Sequence, residues 1–228
     1  MKTTIVIPAF NEGKRISKVL KSLAKTDYSV IVVDDGSSDN TSSEVKKFRK
    51  VKLINHETNR GQGAALKTGI RAALKLKSDT IITFDADGQH RASEIEKFTK
   101  KIEEGYDVVL GSRFLKKTKL PLRRKIILKG SILVERVFLG VKLTDAHNGF
   151  RAFSVKAARK IKIKEDGMAH ASEIIYRIKE KDLSYCEIPV NIKYSKDTMI
   201  KGGNTFLRSI HILFQIIKMR LRNIRSFF

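Results

Sequence analysis

Two aspartates one residue apart, Asp85 and Asp87, are the side chains whose types and spacing most directly suggest chemistry. They follow an apolar run, Ile81 to Phe84, whose β-branched and aromatic composition predicts a short buried strand. Neighbouring carboxylates repel each other, and a divalent cation with oxygen ligands relieves that repulsion. The same pattern, followed by Gly88, is also typical of an ordinary turn. The spacing therefore predicts a metal site only if other polar groups gather around it.

The elements that would position these aspartates alternate between apolar strands and helices. The spacing of apolar residues predicts strands at 4–8, 30–33, 51–55, 81–84 and 107–110, and helices at 15–25, 41–48, 64–76 and 93–104. Such alternation predicts an α/β fold with a mainly parallel sheet and helices on both faces. Because ligands of such sheets bind beyond the carboxyl ends of the strands, we expect the aspartates to meet a substrate there.

The chain becomes strongly basic after Gly111. Residues 112–140 read as a basic amphipathic insertion in a catalytic domain that spans 1–202, and 122–139 as a helix within it. Further strands are predicted at 150–153, 185–188 and 190–194, and helices at 155–161 and 169–181.

The segment 203–228 predicts a last amphipathic helix. Its polar stripe follows helical spacing and consists of Arg208, His211, Gln215, Lys218, Arg222 and Arg225. A basic stripe beside a wide apolar face suits the interface of an anionic membrane. Packing against the catalytic domain with a solvated basic edge is the alternative. The interfacial interpretation is favoured because the segment 122–139 repeats the same chemistry.

The amino-acid composition indicates which classes of partner the protein would bind. Forty-seven basic against 24 acidic side chains give a net charge of +23, which favours nucleic acid, an anionic lipid surface or phosphorylated small molecules. The single cysteine, Cys186, cannot form an internal disulfide and fits a reducing compartment. No signal peptide and no apolar run of membrane-spanning length is visible, which predicts a cytoplasmic protein that at most lies on a membrane.

Polar clusters at several predicted strand ends should converge on one edge of the sheet. Besides the two aspartates, these are Asp34-Asp35 and Gly111-Ser112-Arg113. The loop 59–63 superficially resembles a dinucleotide-binding turn, but Leu66 stands where the third glycine would be needed. No P-loop is present either. Carboxylates, arginines and a metal at one edge suit a nucleoside diphosphate that acts as a leaving group.

The motifs in their order resemble those of family-two glycosyltransferases of the GT-A fold, and most closely the dolichyl-phosphate mannosyltransferase and polyprenyl-phosphate glycosyltransferase branch. The resemblance covers roughly residues 1–195 and rests on six segments: Ile5-Val-Ile-Pro-Ala-Phe-Asn-Glu12, Val32-Val-Asp-Asp-Gly-Ser-Ser-Asp39, Asn59-Arg-Gly-Gln-Gly63, Asp85-Ala-Asp-Gly-Gln89, Gly111-Ser-Arg-Phe114 and Asp145-Ala-His-Asn-Gly-Phe-Arg-Ala152.

For the donor, the resemblance implies a nucleotide site with a bound metal. Asp85 and Asp87 would hold Mg²⁺ or Mn²⁺ against the diphosphate, and Asp87 would thereby take part in catalysis. Pro8, Ala9, Glu12 and Asp35 would border the nucleotide, with Asp34 supporting or sharing that contact. Gln89 would line the sugar-phosphate site, and Gly63 is a further substrate-binding residue.

For the acceptor, the resemblance implies that Arg113 and Arg151 contact phosphate groups and that Asp145 lies near the acceptor. An alcohol acceptor would need Asp145 as general base. A phosphate acceptor is already an anionic nucleophile, and Asp145 would then orient Arg151 or the metal site. His147 and His170 are candidates for acceptor-phosphate contacts, although structural roles are the alternative. Either acceptor predicts a single displacement that inverts the anomeric carbon.

The resulting hypothesis is an inverting enzyme that moves a sugar from a UDP- or GDP-sugar to a polyprenyl phosphate, dolichyl or undecaprenyl, at the cytoplasmic membrane face. A small membrane anchor protein is a further partner of this hypothesis. The same catalytic core acting on an envelope polysaccharide or another non-lipid acceptor is the alternative. A nucleic-acid-binding protein is a remote third, because the basic residues lack the interleaved aromatics of an RNA-binding sheet; we expect no nucleic-acid partner. The segment 147–151 departs from the usual Ser-Gly-Phe-Arg, which leaves the donor sugar open.

Overall fold

A computed structural model describes residues 1–115, 141–145 and 148–192. In chain order its strands are β1 (Thr3–Ala9), β2 (Ser29–Asp34), β3 (Val51–Asn55), β4 (Thr80–Thr83), β5 (Val108–Ser112), β6 (Arg151–Ser154) and β7 (Tyr185–Pro189). Its helices are α1 (Gly13–Leu23), α2 (Thr41–Lys46), α3 (Gln62–Lys75), α4 (Ile95–Glu103), α5 (Val155–Lys160) and α6 (His170–Glu180), with a 3-10 turn, Ala92–Glu94, before α4. The predicted α/β class is confirmed.

The described strands form a single sheet in the order β3-β2-β1-β4-β6-β5-β7. Strands β3, β2, β1 and β4 are mutually parallel, and β5 is parallel to β7. Strand β6 lies between β4 and β5 and runs antiparallel to both. The amino end of β6 therefore reaches the same edge of the sheet as the carboxyl ends of β4 and β5. The predicted mainly parallel sheet is confirmed, with this one reversal.

Two hydrophobic cores cover the two faces of the sheet. Strand residues alternate between them, because successive side chains of a strand point to opposite faces. Val6 packs in the core that contains Ile70 of α3, together with residues of α5 and α6. Its neighbour Ile5 packs in the core that contains Leu20 of α1, together with residues of α2 and α4. The strands are apolar on both faces for this reason, as expected for a covered sheet.

One predicted strand differs from the structure, and several other predictions concern residues outside the described ranges. The strand predicted at 190–194 is wrong for residues 190–192, which have no strand assignment, because the preceding strand continues through Pro189, paired with Ser112. Within the described ranges, no helix is both long and apolar enough to cross a bilayer. The predicted helices at 122–139 and 203–228, most of the 112–140 insertion and His147 lie outside the described residues.

Candidate active site

The two aspartates of the D-x-D motif lie just beyond the carboxyl end of β4. Asp85 Oδ2 lies 3.0 Å from His90 Nε2, and Asp85 Oδ1 accepts a hydrogen bond from Gln62 Nε2 at 3.4 Å. Asp87 Oδ1 accepts a hydrogen bond from the backbone N–H of Gln89 at 2.9 Å. The loop after β4 thus folds back on itself, and His90 fixes the orientation of the first carboxylate.

The two carboxylates differ in their electrostatic surroundings. Burial by itself raises the pKa of Asp85, but the hydrogen bond and charge of His90 bring the pKa below its ordinary value. His170 and Arg151 lower it further through their charges. The pKa of Asp87 is raised, first by burial and then by the negative charge of Asp85, with a smaller contribution from Glu12. An excess of negative charge therefore remains on the Asp87 side of the pair.

This pair suits a divalent cation that a substrate helps to hold. In the part of the chain that the structure describes, no group of three or more His, Cys, Asp or Glu side chains could hold a metal alone. Mg²⁺ sites in phosphoryl-group chemistry usually combine one or two carboxylates with substrate phosphates and water. Asp85 and Asp87 supply the carboxylate part of such a site, and the charge excess gives a physical reason for a cation there.

Residues 148–152, in the last of the six motifs, pack directly onto Asp85. Thr83 Oγ1 donates a hydrogen bond to the carbonyl of Gly149 at 2.7 Å. A Cβ atom at Gly149 would lie 2.4 Å from Asp85 Oδ2, so no other residue fits without displacing the carboxylate. Arg151 follows at the start of β6, opposite Thr83 in the register. Its buried guanidinium donates to the carbonyls of Asn148 at 2.9 Å and Ala171 at 3.3 Å.

Arg113 and Asp145 form a buried ion pair with each other. Arg113 Nε and Nη2 each lie 2.6 Å from one carboxylate oxygen of Asp145, and the backbone N–H of Arg113 donates to Oδ2 at 3.0 Å. The side chain of Glu187 accepts the backbone N–H groups of Thr144 at 2.9 Å and Asp145 at 3.1 Å. Both oxygens of Asp145 are therefore engaged by Arg113, whereas one alternative expected from the sequence is that Asp145 orients Arg151 or the metal site.

Asp34 and Asp35, at the end of β2, are buried and hold neighbouring loops. Asp35 accepts backbone N–H groups of Arg60 at 3.1 Å and Gly61 at 2.7 Å, and its Oδ1 lies 2.6 Å from His56 Nδ1. Asp34 accepts the backbone N–H of Ser37 at 3.1 Å and the hydroxyl of Ser42. The position of the loop 59–63 is therefore set by Asp35.

Gly63 and His170 meet where α3 begins. A Cβ atom at Gly63 would lie 2.0 Å from the carbonyl oxygen of Glu165 and 2.9 Å from His170 Cβ. The backbone N–H of Ala64 donates to the carbonyl of Asp166 at 3.1 Å. Gly63 thus permits close packing of α3 against the segment before α6. His170 Nδ1 lies 2.8 Å from the carbonyl of Gly167.

The other predicted donor residues lie at or just beyond the ends of β1 and β4. Pro8 and Ala9 are buried in β1 and pair with Val33 and Asp34 of β2. Glu12 pairs with Arg15 at 2.8 Å. Gln89 is half-buried beside Asp87. The structure thus brings Glu12, Asp85, Asp87, Gln89, Arg151 and His170 to one region, while Asp34, Asp35 and Gly63 act on the loops around it.

In addition to these contacts, the sequence of the chain matches a protein-family model. A family model described as glycosyl transferase family 2 matches residues 4–162. The chain is a family-two glycosyltransferase. The resemblance inferred from the six motifs is thereby confirmed.

Two archaeal relatives of this glycosyltransferase carry functional names. The UDP-N-acetylglucosamine–dolichyl-phosphate N-acetylglucosaminyltransferase of Methanococcus voltae is 31% identical, over 95% of each chain. The dolichol-phosphate mannosyltransferase of Pyrococcus furiosus is 30% identical, over 93% of this chain and 63% of that one. A protein of Methanocaldococcus jannaschii whose name states no function is 42% identical, over 95% of this chain and 91% of that one.

A solved structure confirms the GT-A fold of this glycosyltransferase. The glucosyl-3-phosphoglycerate synthase of Mycobacterium tuberculosis, crystallised with Mn²⁺, UDP and glucosyl-3-phosphoglycerate, superposes with a TM-score of 0.73 at 17% identity. The match covers 94% of this chain and 79% of that one. At this identity the likeness shows the fold alone.

Sequence reasoning missed two members of the glycosyltransferase site, Gln62 and His90. His90 is buried, and its ring contacts Phe84 and Phe150 with centroids 5.5 and 5.0 Å away. Its Nδ1 has no hydrogen-bond partner among the described residues. The spacing of His90 five residues after Asp85 was the available signal, because a loop that ends a strand with Gly88 can turn back over that distance.

Proposed function

We propose that this glycosyltransferase moves a sugar from a nucleoside-diphosphate donor, a UDP- or GDP-sugar, to a polyprenyl phosphate at the cytoplasmic face of the membrane. The observation that most directly supports this function is the pair Asp85 and Asp87, which has a local excess of negative charge. The charges of His170 and Arg151 act on the same pair. Such a site favours a cation and a diphosphate together. The two relatives described above with functional names, one named for dolichyl phosphate and one for dolichol phosphate, support the acceptor class.

Asp85 and Asp87 would hold the divalent metal, Mg²⁺ or Mn²⁺. When bound, the ion would neutralise charge that develops on the diphosphate leaving group. His90 keeps Asp85 in one orientation through its 3.0 Å contact, and Gly149 leaves no room for that carboxylate to move toward β6. The chain therefore presents a preorganised carboxylate, which is favourable because no reorganisation is needed during the reaction.

The donor nucleotide would lie over the ends of β1 and β2. Pro8, Ala9 and Glu12 would border it directly, and Gln89 would line the sugar-phosphate part of the site. Asp34 and Asp35 would act through the loops that they hold, because their oxygens already accept hydrogen bonds from the chain. Gly63 would contribute by letting the start of α3 pack closely against the segment before α6.

The acceptor would be a phosphate rather than an alcohol. An alcohol needs a general base, and both oxygens of Asp145 are engaged by Arg113 at 2.6 Å. A phosphate oxygen is already anionic and attacks the anomeric carbon without a base, in a single displacement with inversion. Arg151, His170 and His147 would then offset the charge of the incoming phosphate, and Arg113 would hold the Asp145 segment in place. Peripheral membrane binding, with or without a small anchor protein, completes the proposal.

The test is a transfer assay with radiolabelled UDP- and GDP-sugars and polyprenyl phosphate in detergent, with Mn²⁺ or Mg²⁺. We expect label in the organic-soluble lipid fraction, with the metal required. Label that stays in an aqueous or polymer fraction would instead support a non-lipid acceptor and contradict the proposal.

The double variant Asp85→Asn with Asp87→Asn tests the metal. Its activity should fall on the order of 100-fold or more, the size expected when charge stabilisation of a leaving group is lost. Calorimetry should show that metal-dependent donor binding disappears while thermal unfolding stays cooperative. Asp27→Asn, which removes one exposed carboxylate after α1, is the control for loss of a carboxylate outside the site. Undiminished activity in the double variant would refute the metal role.

A further inference from the structure

A second cationic feature lies away from the sheet edge, on the face that carries α5 and α6. It is a groove of about 460 Å³. Six side chains line it, and all of them are cationic: Arg159, Lys160, Lys162, Lys164, Arg177 and Lys181. We call it the basic groove.

The local backbone explains why the lysines gather there. Between α5 and α6 the chain alternates, with Ile161 and Ile163 buried in the core and Lys162 and Lys164 exposed. Period-two alternation places the two lysines on one side of the segment. The segment contributes its lysines to the groove and its isoleucines to the hydrophobic core, so the lysine positions are fixed by packing.

The cations of the basic groove are poorly neutralised. Over the ranges that the structure covers, no carboxylate lies within ion-pair distance of the four cations from Arg159 to Lys164, whereas Lys156 just before them pairs with Asp107 at 2.8 Å. Lys181 lies 3.6 Å from Glu180. Like charges held together without counter-charges raise the free energy of the site until an anion binds.

Arg177 gives a second, independent indication. Its side chain is 9% exposed and pairs with Glu173 at 3.3 Å and Glu180 at 2.7 Å through its terminal nitrogens. Its Nε is buried and has no hydrogen-bond partner among the described residues. A buried donor without an acceptor costs free energy, and an oxyanion in the groove would provide the acceptor.

The basic groove is separate from the candidate active site. Helix α6 begins at His170, whose charge acts on Asp85, and Arg177 follows seven residues later. At the rise of an α-helix this is about 10 Å further along, and Lys181 lies beyond it. The groove is also lined by none of the residues assigned above to donor, metal or acceptor.

We propose that the basic groove is a second anion site that binds a phosphate group. The same oxyanion chemistry is offered by free phosphate and by the headgroup of an anionic phospholipid, and the groove would dock the enzyme on a membrane in the second case. This inference does not depend on the sugar donor or acceptor.

The experiment compares two charge-matched double variants of the full chain. Lys160→Gln with Lys162→Gln removes two groove cations, and both side chains are exposed, so the fold is kept. Lys18→Gln with Lys25→Gln removes the same charge from exposed positions in α1 and just after it, on the opposite face. Inorganic phosphate is titrated calorimetrically in the presence of a chelator, which silences metal-dependent binding elsewhere. Co-sedimentation with phosphatidylcholine vesicles, with and without phosphatidylglycerol, forms the second arm.

We expect wild type and the control to bind in at least one arm and the groove variant to lose roughly 25-fold in affinity there. This factor corresponds to about 1 kcal/mol for each lysine near an anionic surface. Loss in the phosphate arm identifies a free phosphate ligand, and loss confined to phosphatidylglycerol vesicles identifies the lipid headgroup. Equal losses in the groove variant and the control, or no binding by wild type in either arm, would overturn the proposal.

Discussion

At the scale of single residues, the acidic side chains of the site fall into two groups. Asp85 and Asp87 lie side by side and face the region where a ligand would bind, whereas Asp35 and Asp145 are already fully engaged by the chain. Only the first group keeps an excess of negative charge, on the side of Asp87, which favours a bound cation. This distinction is invisible in the sequence, where all four appear as acids in glycosyltransferase motifs.

The Arg113–Asp145 pair predicts a stability effect. Asp145→Asn would remove the carboxylate that pairs with the buried guanidinium of Arg113, and breaking a buried pair in this way costs about 3–5 kcal/mol. Urea unfolding measures it. Asp166→Asn is the control. The Asp166 side chain, which pairs with Lys67, is 47% exposed, so losing this pair should cost no more than about 1 kcal/mol. An inactive Asp145→Asn protein with wild-type stability would instead identify Asp145 as a general base.

Gly149 predicts a positional effect on the metal site. In Gly149→Ala the new methyl group would meet Asp85 Oδ2 at 2.4 Å and displace the carboxylate. Misplacement of a site group by about 1 Å can cost on the order of 100-fold in rate. Kinetics at varied Mn²⁺ should show that the variant binds the metal more weakly and needs a higher Mn²⁺ concentration for half-maximal activity. Gly167→Ala, which meets no atom within 4 Å, should behave as wild type. Wild-type kinetics for both variants would mean that Asp85 tolerates displacement.

At the scale of secondary-structure elements, Asp107 ties three parts of the fold together. It precedes β5, and its carboxylate accepts the backbone N–H of Ser184 at 3.1 Å, just before β7, and pairs with Lys156 of α5 at 2.8 Å. Burial raises the pKa of Asp107, but these bonds outweigh it, so the pKa of the folded protein lies below the ordinary value. The ionised carboxylate therefore stabilises the junction of β5, β7 and α5.

This junction predicts a pH dependence. Because the folded pKa of Asp107 is depressed, its contribution is present above the unfolded pKa and is lost as pH falls through the folded pKa. Asp107→Asn should lower the free energy of unfolding at neutral pH by about 1–3 kcal/mol. The difference from wild type should shrink on acidification. Urea midpoints over an acidic pH series measure it, and a constant difference at every pH would contradict the argument.

The sequence predicted where the strands lie along the chain better than it predicted which strands and side chains pair with each other. The strand ends that carry Asp35 and Asp85 were predictable, because apolar runs and the rule for parallel sheets place them on one edge. The strand near Phe150 was predicted too, but its antiparallel insertion between β4 and β5 was not, since pairing depends on contacts distant in sequence. The partnership of Arg113 with Asp145 was missed for the same reason, as 32 residues separate them.

At the scale of the whole molecule, charge is the dominant feature. The chain carries +23, and several of the described acids are already paired with nearby lysines or arginines. Most of the basic excess is therefore uncompensated and repels itself in the compact state. Sequence composition anticipated a polyanionic partner, but only the structure indicates that six cations converge in the basic groove.

Self-repulsion predicts that salt stabilises the fold. Raising sodium chloride from about 0.01 to 0.15 M shortens the screening length from roughly 30 to 8 Å. We expect the unfolding midpoint to rise by roughly 2–4 °C, which corresponds to about 1 kcal/mol for a chain of this size. Differential scanning calorimetry without phosphate avoids specific binding in the basic groove. A midpoint that falls with salt would show that attractive ion pairs outweigh the repulsion.

The reversed strand β6 has a consequence for biosynthesis. Strands β4 and β5 emerge from the ribosome before β6, yet each of them pairs with it. Until residue 154 has been made, both strands present an open row of backbone donors and acceptors, the kind of edge through which chains associate wrongly. Over the same interval Asp85 lacks the packing of Gly149 and the charge of Arg151, because both residues arrive with the strand that closes the gap.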